Sequence, residues 1–231
     1  HALEVMCKGI AKIVEDLHNE RPIHGIISMG GSGGTAIGTA AMRALPVNVP
    51  KLMVSTVASG DTSPYVGSHN ITMMPSIVDV SGLNSISRQI FVHAAGAIVG
   101  MAKAEIEEVH EEKPLIAASM FGNTTRAVDQ ARHILEEQGY EVVVFHATGT
   151  GGRTMEMLIE NGYFAGVLDM TTTELVDEVC GGVLSAGPTR LEAAALTGTP
   201  QVVVPGCLDM CNFWAPKTVP EKYKDRQFVK W

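Results

Sequence analysis

Basic residues are scarce in this chain of 231, which carries 17 Lys and Arg against 25 Asp and Glu for a net charge of −8. A nucleic-acid surface needs clustered cations to displace counterions, so direct RNA or DNA binding is not expected. Aromatic residues are also few, at 5%. No uninterrupted apolar run reaches the roughly 18 residues that a spanning helix requires, and no membrane segment is expected. The four cysteines, Cys7, Cys180, Cys207 and Cys211, are too few and too scattered for a disulfide framework in a chain of this length. A reducing, cytoplasmic setting fits them. Cys207 and Cys211 stand four apart and would share a face if helical, but no second Cys or His pair completes zinc-site spacing, so no metal is assigned.

What the chain has is hydrophobic content, 45% of its residues, enough for two cores at roughly 100–200 residues per domain. Val5, Met6, Ile10, Ile13, Val14 and Leu17 recur at helical spacing, with Lys8, Lys12, Glu15 and Asp16 opposite, which predicts a surface helix covering a sheet. Short continuous apolar runs at 23–29, 52–57 and 71–74 follow, of the kind that a parallel sheet buries on both faces. An alanine-rich helix over 87–108 places His93 and Met101 among core or interface positions. It ends where Glu107, Glu108, Glu111 and Glu112 crowd before Pro114. We place a domain boundary there, giving subdomains 1–113 and 114–231.

After Pro114 strands and helices alternate again: strand 115–120, helix 126–138 with Gly139 as its stop, strand 141–146, helix 155–161, strand 166–170, helices 174–179 and 191–196, and strand 201–204. This alternation predicts an α/β fold of two Rossmann-like, doubly wound subdomains with mainly parallel sheets. The opening His1 and the polar, non-periodic end at Trp231, near Phe213 and Trp214, read as the edges of a fragment.

In such sheets ligands gather beyond the carboxyl ends of the strands. Gly30, Gly31, Ser32, Gly33, Gly34 and Thr35 follow the first strand and open directly into a helix, so backbone N–H groups and the helix dipole can hold a phosphate. The same residues satisfy a dinucleotide fingerprint (Gly31, Gly33, Ala36) and a nucleophile elbow around Ser32. No Lys follows the last glycine, which weakens a P-loop reading and leaves Thr35 as the hydroxyl that could touch phosphate or metal. Ser59 and Asp61 lie where a dinucleotide site wants its ribose acid, and Asp79 comes further on. A second glycine loop over 148–154 adds Arg153, a fork for carboxylate or phosphate. His146 and Asp169 end neighbouring strands and could form an acid/base pair, although their order does not suit an elbow enzyme. Arg190 lies on the same rim. These groups leave open a hydrolase or transferase acting on a small phosphorylated or carboxylated substrate between the halves, or a dimeric interaction module presenting the alanine-rich helix.

Seven stretches taken together resemble one family: Gly30-Gly-Ser-Gly-Gly-Thr35, Val54-Ser-Thr-Val-Ala-Ser-Gly60, Val78-Asp-Val-Ser-Gly-Leu-Asn84, Phe121-Gly-Asn-Thr-Thr125, Asp169-Met-Thr-Thr-Thr-Glu174, Gly181-Gly-Val-Leu-Ser-Ala-Gly187 and Val204-Pro-Gly-Cys-Leu-Asp209. It is the ATP-binding-domain family named for a plant tobamovirus resistance protein, uncharacterised in bacteria and fungi. The resemblance implies two Rossmann-like subdomains, ATP or a related nucleotide with Mg, a homodimer, and further sequence at both ends. It assigns no catalytic residue.

Overall fold

The computed structural model describes residues 2–105 and 113–229. The glutamates at 107, 108, 111 and 112 and the terminal Trp231 lie outside the described residues. The chain divides into two compact units, His1–Glu108 and Val109–Trp231, each built on its own parallel sheet.

The first unit runs α1 (Ala2–Glu20), β1 (Ile26–Gly30), α2 (Ser32–Arg43), β2 (Lys51–Ser55), α3 (Ser63–Val66), β3 (Thr72–Pro75) and α4 (Ser85–Lys103). Its strands lie side by side in the order β1-β2-β3, so β2 is central and all five of its residues are buried. Alternation along β2 sends Leu52 and Val54 to one face, where Ala94 and Ile98 of α4 cover them. On α1 and α2, Val14 and Ala41 pack with Leu45 and Val49 in a separate cluster that also takes in Ile26 of β1. Helix α2 lies so close to the sheet that a Cβ on Gly38 would stand 2.5 Å from Ser28 Oγ.

Helix α4 begins two residues ahead of its apolar periodicity because Asn84 and Ser87 form a reciprocal cap. Asn84 Oδ1 accepts from the Ile86 and Ser87 amides at 2.9 Å, and Ser87 Oγ accepts from the Asn84 amide at 2.9 Å. The expectation that places His93 and Met101 in the core is corrected. Both are exposed, with Val92 and Val99, and Ala94 and Ile98 take the buried stripe.

Lys51 opens β2 fully buried and, among the described residues, without a carboxylate partner. Its Nζ donates to the Pro46 and Val49 carbonyls at 2.6 and 2.8 Å and to Asn70 Oδ1 at 3.2 Å. One ammonium thus ties the turn before β2 to the loop before β3.

The second unit runs β4 (Leu115–Met120), α5 (Thr125–Glu137), β5 (Glu141–His146), α6 (Thr150–Glu160), β6 (Gly166–Asp169), α7 (Thr173–Cys180), α8 (Ala193–Thr197) and β7 (Gln201–Val203). All strands are parallel, in the order β5-β4-β6-β7, so the strand order reverses between β4 and β6. Ala117 and Val167 of the sheet pack with Met155, Ile159, Phe164, Ala193 and Ala194. Helix α5 stops at a left-handed Gly139 (φ 88), as its sequence suggests. Cys207 and Cys211 do not share a helical face. Their segment crosses the end of β6, where the Thr172 amide donates to Gly206 O at 3.0 Å, and it continues to Asn212, whose amide donates to Asp177 Oδ1 at 2.9 Å. With its backbone engaged elsewhere, no i to i−4 ladder forms there. Among the described residues, no helix is long and apolar enough to cross a membrane.

Candidate functional site

At the end of β1 the expected glycine loop contracts to one residue, Gly31, because Gly30 closes the strand and Ser32 already opens α2. None of Gly30, Gly31, Gly33 and Gly34 has a positive φ, so left-handed turning does not explain them. Gly30 is small because a Cβ there would meet Gly34 Cα at 3.0 Å. Gly33 has no such reason: its added Cβ would meet nothing within 4 Å.

Helix α2 is also uncapped. Gly31 offers no side chain, the first turn holds no acid, and the helix ladder starts with the Thr35 amide donating to Gly31 O at 2.7 Å. The amides of Ser32, Gly33 and Gly34 have no acceptor among the described residues. Three donors aligned at the positive end of a helix are the kind of arrangement that favours an anion.

Two sequence expectations for this segment are corrected. Thr35 is fully buried and its hydroxyl is consumed, donating to Gly31 O at 2.8 Å and sharing a 2.6 Å hydrogen bond with Ser55 Oγ, so it fastens α2 to β2 and does not reach a phosphate. Ser32 sits in the helix without a strained turn, and among the described residues no His bonds its hydroxyl, so the nucleophile elbow is not formed.

Beside the helix end, a cleft of about 460 Å³ opens at the carboxyl ends of β2 and β3, lined by Ser55, Thr56, Ser59, Pro75, Ile77, Val78 and Asp79. It adjoins the glycine turn, since a Cβ on Gly31 would stand 3.7 Å from Thr56 Oγ1. Ile77 lies on its wall in a left-handed conformation (φ 62), with the Val78 amide donating to Ser76 O at 2.6 Å around it. A β-branched residue is strained there, and such strain concentrates at binding sites. Ser59 therefore falls in the cleft, but Asp61 does not. Its Oδ1 accepts from the Ser63 amide at 3.0 Å and from Ser63 Oγ at 2.6 Å, which hold its carboxyl below the usual range and turn it to the start of α3.

The second glycine loop is arranged differently. It becomes the first turn of α6, and Glu174 Oε1 accepts from the Gly149 and Gly152 amides at 2.6 and 3.1 Å. The protein's own carboxylate occupies this helix end. Here the glycines answer to the interior: Gly149 has φ 84, a Cβ on Gly151 would lie 1.8 Å from His146 O, and one on Gly152 would lie 2.1 Å from Glu174 Oε2. Arg153 is exposed and donates through Nη1 to Ser185 O at 2.8 Å, holding the 181–192 loop.

Arg190 and Asp169 are not rim groups. Both side chains are fully buried, and Arg190 Nη1 and Nη2 fork onto the two Asp169 oxygens at 2.6 and 2.7 Å. Arg190 Nε donates to Glu174 Oε2 at 2.8 Å and Nη1 to Glu156 Oε1 at 3.0 Å. Burial alone would lower the guanidinium's pKa, but hydrogen bonds and charge from Asp169, then Glu174, raise it above its ordinary value. Glu156 also accepts from the Leu191 and Ala193 amides at 3.0 and 2.9 Å, and Ser119 Oγ donates to Asp169 at 2.5 Å. The acid/base pair of His146 with Asp169 is therefore corrected: Asp169 is saturated, and His146 is exposed with its ring edge-on to Phe121 at 5.5 Å. Sequence reasoning missed Glu156 and Glu174. Their signal was an acid set among apolar helix residues, Met155-Glu156-Met157 and Glu174-Leu175-Val176.

The chain resembles proteins of bacteria and of tomato. A UPF0261 protein of Clostridium tetani is 60% identical over 230 residues, covering 100% of this chain and 57% of that protein. One from Mesorhizobium japonicum is 52% identical over 208 residues, 90% of this chain and 52% of its own length. The ToMV resistance protein Tm-1 of Solanum lycopersicum is 39% identical over 231 residues, 98% of this chain and 31% of its own. The chain thus spans about half the length of these bacterial relatives. Models of the N-terminal and C-terminal domains of an uncharacterised protein family, UPF0261, match residues 1–107 and 113–231, and the chain belongs to that family.

Proposed function

We propose that the protein binds a nucleotide, ATP in the first instance, whose phosphates sit on the amides of Ser32, Gly33 and Gly34 at the start of α2. One observation carries this reading: of the two glycine-opened helix starts, that of α6 is filled by Glu174 and explained by internal packing, whereas that of α2 has free donors and a glycine with open space beside it. The neighbouring cleft of about 460 Å³ supports it, because it supplies volume for the remainder of such a ligand. With a net charge of −8 the chain lacks a broad attractive field for phosphate, so binding rests on local donors and Mg accompanying the phosphates offsets their charge. The hydrolase alternative loses its residue set, since Asp169 and Arg190 neutralise each other in the interior.

Calorimetric titration with ATP and Mg tests the reading. Wild-type protein is expected to bind in the micromolar range, and Gly33→Asp, which brings a carboxylate to the phosphate position, is expected to weaken binding at least tenfold. Equal affinity in the two proteins would overturn the assignment.

A further inference from the structure

The cleft beside α2 has a chemistry of its own. Ser55, Thr56 and Ser59 line it from the end of β2, with the Ser55 hydroxyl already bonded to Thr35, and Pro75, Ile77, Val78 and Asp79 line it from the end of β3. Among the described residues no aromatic ring lines it, so none of them stacks a base there. Asp79 is exposed, its Oδ1 accepts from the Val80 amide at 2.8 Å, and among the described residues no Lys or Arg pairs with it. A carboxylate without a cationic partner repels a second anion and takes hydrogen-bond donors. Placed beside an anion site, it selects a ligand with phosphate at one end and neutral donors at the other.

We infer that this cleft recognises the vicinal hydroxyls of a phosphorylated sugar, with Asp79 accepting from the diol, Thr56 and Ser59 completing its hydrogen bonds, and Pro75 and Ile77 covering the ring's apolar face. The inference rests on the phosphate reading of α2 and names the rest of its ligand. The sugar phosphate belongs either to a nucleotide or to a free phosphorylated sugar, and the cleft reads the same atoms in both. Asp79 takes the part for which the sequence offers Asp61, which is turned away to α3.

The test titrates wild type, Asp79→Asn and Gly33→Asp with four probes: tripolyphosphate, ATP, 2′,3′-dideoxy-ATP and ribose 5-phosphate. Asparagine retains the acceptor for the Val80 amide and removes the charge, so the 76–80 turn is kept. The expected pattern is that Asp79→Asn weakens ATP about tenfold, as loss of a charged acceptor does, while leaving tripolyphosphate and dideoxy-ATP unchanged. Wild type is expected to bind dideoxy-ATP about as weakly as Asp79→Asn binds ATP. Ribose 5-phosphate binding more tightly than ATP, with the same Asp79 dependence, identifies a free sugar phosphate as the source, and the reverse order identifies a nucleotide.

Equal ATP affinity in wild type and Asp79→Asn, with tripolyphosphate still lost in Gly33→Asp, overturns the diol and leaves the phosphate site standing. An Asp79 effect that disappears when Mg is chelated overturns it too, because the carboxylate would then act on the metal. Wild type binding none of the four probes overturns both readings.

Discussion

Arg190 and Asp169 form a two-pronged ion pair, Nη1 to Oδ2 at 2.6 Å and Nη2 to Oδ1 at 2.7 Å, with neither side chain exposed to solvent. Around it Glu174 holds the start of α6 and Glu156 the start of α8, so one guanidinium registers three elements of the second unit. Arg190→Met strands Asp169 and Glu174 as buried charges, and the second unit is expected to lose about 3–5 kcal/mol. Arg190→Lys is expected to lose most of the same amount, because an ammonium has no planar fork for both oxygens. Urea unfolding followed by circular dichroism measures both; losses under about 1 kcal/mol would show that the network does not support the fold.

The two glycine-opened helices predict opposite responses to one methyl group. Gly152→Ala drives a Cβ to 2.1 Å from a Glu174 oxygen that is pinned and cannot withdraw, at an expected cost of about 1–3 kcal/mol. Gly33→Ala meets nothing within 4 Å and lies in a helix, so stability is expected to hold or rise by about 0.5 kcal/mol. Thermal unfolding of the two variants beside wild type decides, and a Gly33→Ala protein as destabilised as Gly152→Ala would remove the case for open space at α2.

Lys51 predicts a pH dependence in the first unit. Burial lowers its pKa to about 8 from 10.5 in the unfolded chain. Between those values the unfolded chain holds a proton that the folded one has released, so stability rises as pH goes from 8 to 10.5. Below pH 8 both states are protonated and this contribution is flat at its least favourable level. Wild type is therefore expected to gain stability over Lys51→Met across that window, as read from denaturant midpoints at matched pH. Parallel curves for the two proteins would contradict the assignment.

Much of the fold was legible because its signals are local. Strand β4 at Leu115–Met120 and strand β5 at Glu141–His146 stand where their apolar runs put them, and Gly139 marks the end of α5. Helix starts were less legible. Helix α6 begins five residues ahead of its apolar pattern, because Glu174, more than twenty residues away, accepts the amides of its first turn. The candidate site divides in the same way. Gly31 was legible as the turn before a helix, although Gly33 lies inside α2, whereas the fate of Asp61, Asp169 and Arg190 depended on which partners folding delivered. A lone Asp after a strand reads alike whether it faces a ligand, caps a short helix like Asp61, or is buried against an arginine like Asp169. Asp79 is told apart only by the cleft it lines.

The α2 start offers three amides with no acceptor among the described residues, whereas Glu174 fills the α6 start from within. Amide nitrogen–proton NMR of the protein titrated with ATP and Mg separates the two. The Ser32, Gly33 and Gly34 amides are expected to shift saturably with one dissociation constant, while Gly149 and Gly152, already bonded to Glu174, stay in place. Shifts confined to Gly149 and Gly152, with Gly33 and Gly34 unmoved, would contradict this difference between the helix starts.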